Sequence, residues 1–217
     1  MKARVILTAA VLVMGFVTAA QALDRDARVI GQLGVDVRSC KDLDTMRIIA
    51  WDETALGYER DWAVLSSVAV GKFRESEDDS NPLLWFAALG TKWYALPTTS
   101  LHLLGSYEWL GSGKGFRVAG GTVGIEQRIT SRQAALSPFV KADASVQSVK
   151  IDPLETGSKE FTSLLLRGGV GCDMIMNDDV TLVFEVFFTN SMGSSDDADR
   201  DYADGWGGTV ALKYFWF

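Results

Sequence analysis

His102 is the single histidine in a chain of 217 residues. Ser100, Ser106 and Glu108 stand at even offsets from it, so on an extended strand all four share one face. A serine, a histidine and an acid are the parts of an acyl-transfer site, in which a hydroxyl attacks, an imidazole takes its proton and a carboxylate orients the ring. The spacing argues against that chemistry here. Positions i and i+4 on a strand lie ~13 Å apart at ~3.3 Å per residue, too far for a nucleophile–base hydrogen bond. The chain is therefore read as non-catalytic.

Two other patterns suggest ligand chemistry and fall short of it. Asp197, Asp199 and Asp201 alternate as in a Ca²⁺ loop, but Tyr202 stands where an EF-hand needs Gly, and no Glu occupies the twelfth position. The 194–205 stretch reads as a solvated acidic loop, as does the run from Arg74 to Asn81. No resident metal and no cofactor are expected. Gly111-Ser112-Gly113-Lys114-Gly115 opens no helix, which leaves a phosphate-binding loop unsupported. Gly120, Gly121, Gly124, Gly168, Gly169 and Gly171 read as relief of crowding inside a tightly curved sheet.

Composition narrows the setting. With 28 acids against 21 bases and a formal charge of −7, the chain is a poor partner for nucleic acid, whose affinity rests on neutralised phosphates. Aromatic content of 11% with 47% hydrophobic residues excludes disorder. The first 22 residues have the tripartite form of a cleaved secretory signal. Lys2 and Arg4 precede an apolar stretch from Val5 to Ala20, and Ala20-Gln21-Ala22 provides the small-residue exit. Removing them leaves residues 23–217. Beyond that segment no apolar run of 18 residues occurs, so no transmembrane helix is expected.

The elements that must carry these residues are strands. From Val180 the even positions read Val180, Leu182, Phe184, Val186 and Phe188, against Thr181, Glu185 and Thr189. The same two-residue period runs from Thr162 to Met174 and from Leu136 to Gln147. Such strands are long for a soluble sheet, typically roughly 5–6 residues, and match the roughly 9–11 tilted residues that cross a bilayer. Candidate strands lie near 28–38, 46–58, 62–74, 83–95, 99–110, 115–129, 135–150, 160–175, 180–190 and 207–217. Short and longer connections alternate between them, apart from a clipped one at Gly111–Lys114. Met46 to Tyr58 alternates poorly. If 28–58 forms a periplasmic extension or plug, eight strands remain from Trp62 onward; ten is preferred.

With this pattern the chain resembles the small outer-membrane β-barrel proteins of Gram-negative bacteria, the broad opacity and adhesin-like group. The carriers are the signal segment, the alternating strands and the terminal run Gly207 to Phe217. The last four residues, Tyr214, Phe215, Trp216 and Phe217, resemble the aromatic insertion signal of such barrels. Lys213 departs from the usual pattern, because the family more often has an apolar residue at that offset. The resemblance implies a closed antiparallel up-and-down barrel, a monomer integral to the bacterial outer membrane. Its partners would be outer-membrane lipid, lipopolysaccharide and the barrel-insertion machinery. A weak divalent site bridging lipopolysaccharide is the minor reading of the acidic loop. Omptin-like proteases are also ten-stranded barrels, but they resemble a paired-aspartate plus Asp-x-His arrangement, and no Asp stands two before His102.

Assigning the polar face inward collects Asp36, Glu108, Glu126, Asp143, Asp173 and Glu185 with Arg38, Lys92, Arg128, Lys141, Arg167 and Lys213. Equal numbers of acids and bases in a narrow bore imply a network of ion pairs, since an unpaired buried charge costs several kcal/mol. Trp85, Trp93, Tyr107, Trp109, Tyr214 and Trp216 fall outward near strand ends, where aromatic girdles form. Cys40 and Cys172 would sit at opposite rims, beyond disulfide reach, with Cys172 facing lipid. The expected role is structural or surface contact, in envelope integrity or adhesion. A narrow passage for small solutes is the alternative.

Overall fold

Where apolar side chains recur at every second position, one face of each strand can meet lipid while the other turns inward. In hydrocarbon the edge N–H and C=O groups must then be paired by closing the sheet. The computed structural model describes residues 29–40, 44–56, 61–74, 83–110, 115–130, 134–152, 159–177, 180–192 and 204–216. They form ten strands: β1 (Val29–Cys40), β2 (Asp44–Leu56), β3 (Trp62–Arg74), β4 (Leu83–Leu96), β5 (Thr99–Leu110), β6 (Gly115–Arg128), β7 (Leu136–Asp152), β8 (Lys159–Ile175), β9 (Val180–Met192) and β10 (Gly205–Trp216). Each bound lies within two residues of its expected position. Every strand pairs antiparallel with its sequence neighbours, and β1 pairs with β10. That seam runs in unbroken register from Val29↔Trp216 to Cys40↔Gly205. β2 lies in the wall between β1 and β3, which removes the eight-stranded alternative.

The start of β1 and the end of β10 share one end of the barrel with the two-residue Pro97–Thr98 turn, the periplasmic end in this architecture. The opposite end carries the connections 75–82, 153–158 and 193–204, together with two short ones at 41–43 and 111–114. Because 129–135 at the turn end is longer than either of those short ones, the alternation of loop lengths is looser than the sequence suggested.

The outward faces are apolar. Leu33, Val123, Val146, Val170, Val186 and Val210 each have more than half of their surface exposed. In water such a surface would be an aggregation hazard, whereas against acyl chains it is the required one. Aromatic pairs mark both margins. Trp62 and Trp93 stack at 5.9 Å near the turn end, while Trp85 and Trp109 stack at 6.2 Å near the loop end. On β4, Trp85 and Trp93 stand eight residues apart. That is roughly 20 Å along the normal at ~3.3 Å per residue and ~40° tilt, close to the ~25 Å band of such barrels. Among the described side chains, two carboxylates stand at outward positions, Asp52 between Gly31 and Ser66 and Glu160 opposite Lys150. With a closed wall, an apolar outside and a charged inside, the chain is an integral outer-membrane β-barrel.

Candidate functional site

The inward faces enclose a cavity of about 240 Å³. Its lining holds seven carboxylates and seven cationic side chains, together with His102. All twelve positions expected from the sequence are among them. Sequence reasoning missed Arg47 and Glu53, both on β2.

Near the loop end Arg47 is the centre. Its guanidinium lies 2.5 Å from Asp36 on the neighbouring β1 and 3.2 Å from Glu108, which belongs to β5 across the bore. Thr209 Oγ1 donates to the second oxygen of Asp36 at 3.1 Å. Phe86 lies beneath the Arg47 guanidinium, 5.4 Å away, so its flat face is covered as well as its edge. Toward the turn end, Arg128 bridges Glu126 at 2.9 Å and Asp173 at 3.0 Å, and donates to Ser137 Oγ at 3.0 Å. Lys213 completes that group by meeting Asp173 at 2.7 Å. The group links β6, β8 and β10 with no sheet hydrogen bond between them. Lys92 and Glu53 pair at 3.2 Å between β4 and β2.

Arg167 pairs with Glu185 at 2.5 Å, and its guanidinium lies 3.7 Å from the centroid of the Phe187 ring. Arg38 approaches the same ring at 5.9 Å. Phe187 is almost wholly buried, and Phe139, Val183 and Ala211 form an apolar cluster. The interior is therefore a mixture of ion pairs and hydrophobic packing, less uniformly polar than the alternation implied. Both effects fill the bore.

His102 Nε2 lies 3.1 Å from Asp143 Oδ1, off the line of a well-aligned hydrogen bond. His102 is on β5 and Asp143 on β7, and both are ladder partners of Gly124 on β6. A Cβ at 124 would fall on the imidazole and the carboxylate, so this meeting needs glycine. Lys141 stands 3.9 Å from the other oxygen of Asp143. Ser100, Ser106 and Glu108 do share the inward face with His102. Among the described residues, however, no hydrogen bond joins His102 to a serine, and Glu108 is committed to Arg47. Among the described residues the geometry brings the imidazole an acid and no hydrogen-bonded serine.

Gly120, Gly124, Gly169 and Gly171 face the crowded interior as expected, whereas a Cβ at Gly121 or Gly168 would meet open space on the outward side. Cys172 is a free thiol on the outward face of β8, between Pro138 and Phe184. Cys40 stands at the opposite end of the wall beside Gly205. Tyr214 is exposed on the outward side of β10, with Lys213 turned inward beside it. Phe215 and Trp216 continue the strand opposite Ile30 and Val29. Phe217, the signal segment 1–22, the 74–81 run beyond Arg74 and the 194–203 part of the acidic loop lie outside the described residues. Among the described residues no cluster of three His, Cys, Asp or Glu side chains is arranged to hold a metal ion.

No family model matches this chain, and no curated protein matches it. Solved structures with a similar course include the N-terminal β-barrel domain of Pseudomonas aeruginosa OprF, at 8% identity and a TM-score of 0.46, covering 87% of this chain and 97% of that one. The translocator domain of the autotransporter NalP from Neisseria meningitidis is similar at 12% identity and a TM-score of 0.46, covering 97% and 96%. Neisserial surface protein A is similar at 12% identity and a TM-score of 0.37, covering 87% and 96%.

Proposed function

We propose that this barrel is a non-catalytic structural and surface-contact component of the outer membrane, serving envelope integrity or adhesion, with an interior that carries no large solute. The supporting observation is the set of ion pairs that cross the bore between strands that are not neighbours. Arg47 to Glu108, Arg128 to Asp173, Asp173 to Lys213 and Lys92 to Glu53 act as struts. Each strut stiffens the wall and obstructs the lumen at once. Breaking one partner of a buried pair leaves an uncompensated charge, so the struts hold as a set. On this reading residues 1–22 are removed, the aromatic terminus engages the insertion machinery, and the protein is a monomer surrounded by lipid and lipopolysaccharide.

The cavity of about 240 Å³ supports a second reading, a narrow passage for small solutes. It is smaller than typical ligand pockets of about 300–1,000 Å³, and charges of both signs line it. Recordings from the purified protein in planar bilayers separate the readings. A closed membrane with rare, brief openings is the expected result; a steady conductance overturns the occluded lumen in favour of the passage.

A further inference from the structure

We infer that the outward face of β5 to β7 at the loop end is a binding site for lipopolysaccharide, with the lipid phosphate held between Arg117 and Lys150. The inference rests on the barrel's place in the outer membrane and is independent of whether the lumen conducts.

The register sets five outward side chains in one row across five strands. Trp85 is opposite Trp109, Trp109 opposite Arg117, Arg117 opposite Lys150, and Lys150 opposite Glu160. Directly opposed residues on antiparallel strands have Cβ atoms ~4.5–5.5 Å apart, so the two cations can converge on one phosphate. Among the described side chains, the outward face carries only one other base, Lys72 on β3, distant around the wall. The pairing of Arg117 with Lys150 is therefore a local concentration of positive charge on a chain whose formal net charge is −7. Glu160 flanks the pair on the far side from the tryptophans and limits the anion's approach to the Trp109 side.

The surface below this row is shaped for hydrocarbon. Moving toward the membrane centre, Arg117 is followed by Ala119 and Gly121, Lys150 is followed by Ser148, and Gly105 stands opposite Gly121. A Cβ built at Gly105 or Gly121 would meet nothing nearer than 3.8 Å, so the floor is open rather than crowded. Tyr107 and Trp109, 5.4 Å apart, stand beside the strip as a wall. A strip of small residues beneath a cationic pair, bounded by aromatic rings, fits an acyl chain whose headgroup carries phosphate. The loop end is the outer leaflet, where such a lipid is the phosphorylated glucosamine of lipopolysaccharide. Guanidinium and ammonium donors both suit phosphate, the first by a fork and the second as a point charge.

The test uses the whole barrel folded in detergent and titrated with fluorescent lipopolysaccharide, with heat-modifiable gel mobility confirming that each variant is folded. Arg117→Ala with Lys150→Ala is expected to weaken binding on the order of 30-fold at low salt, from about 1 kcal/mol per cation near the surface. Lys72→Ala is expected to leave affinity unchanged. Lipopolysaccharide stripped of its phosphates is expected to bind the unaltered protein as weakly as the double variant binds the intact lipid. Equal affinity of the double variant and the parent overturns the site. Equal affinity for an anionic phospholipid in vesicles of phosphatidylglycerol overturns the choice of lipid.

Discussion

His102 and Asp143 belong to strands that never pair, yet their side chains meet at 3.1 Å because Gly124 between them has no side chain. Adding a methyl group there parts the two without touching either. Gly124→Ala is expected to destabilise the barrel by about 1–3 kcal/mol, the cost of forcing an extra methyl group into a packed interior. Gly121→Ala, on the open outward side, should stay within about 0.5 kcal/mol of the parent. Urea titrations in lipid vesicles, followed by tryptophan emission, measure both.

Arg128 holds two carboxylates, whereas Lys141 only approaches one at 3.9 Å from a more exposed position. Arg128→Met is expected to cost about 3–5 kcal/mol, since Glu126 loses its pair and Asp173 keeps only Lys213. Lys141→Ala should cost less than about 1 kcal/mol. The same unfolding titrations rank the two.

Depth on the lipid side has its own signature. Val186 faces outward at mid-strand and Met176 lies at the turn-end rim. Val186→Arg is expected to lose about 2–4 kcal/mol and Met176→Arg about 0–1 kcal/mol. A soluble sheet would show no such gradient, so equal losses would count against the membrane reading.

Removing struts should open the bore with a predictable sign. Arg47→Gln combined with Arg128→Gln leaves seven lumen carboxylates against five cations. Planar-bilayer recordings of that variant are expected to show conductance that favours cations over anions.

Cys172 offers a chemical check on facing. An apolar maleimide that partitions into the bilayer should label it in intact vesicles, and a sulfonated maleimide should not. Labelling by the sulfonated reagent alone would place that side of β8 against water.

Most of the wall was legible because alternation is a property of single strands. β9 reads Val180, Leu182, Phe184, Val186 and Phe188 on one side, and those side chains do face outward. β2 was the hard case. Its inward positions mix Arg47 and Glu53 with Ile49 and Trp51, and its outward positions include Asp52 and Thr54. With polar and apolar residues on both faces the period vanishes, and two members of the lumen network vanished with it. The His102–Asp143 meeting was invisible for another reason. The contact spans two ladders, so it depends on the register of β5 on β6 and of β6 on β7 together. The one available signal was the glycine itself, which composition alone does not distinguish from Gly120, inward on the same strand.

The seam between β1 and β10 joins the earliest-synthesised strand to the latest over twelve residue pairs. No partial chain can seal itself, and a ribosome-bound one keeps two raw sheet margins and a greasy exterior at the same moment. Closure therefore waits for β10, and a version that lacks it would keep the Val29–Cys40 margin without its ladder partner.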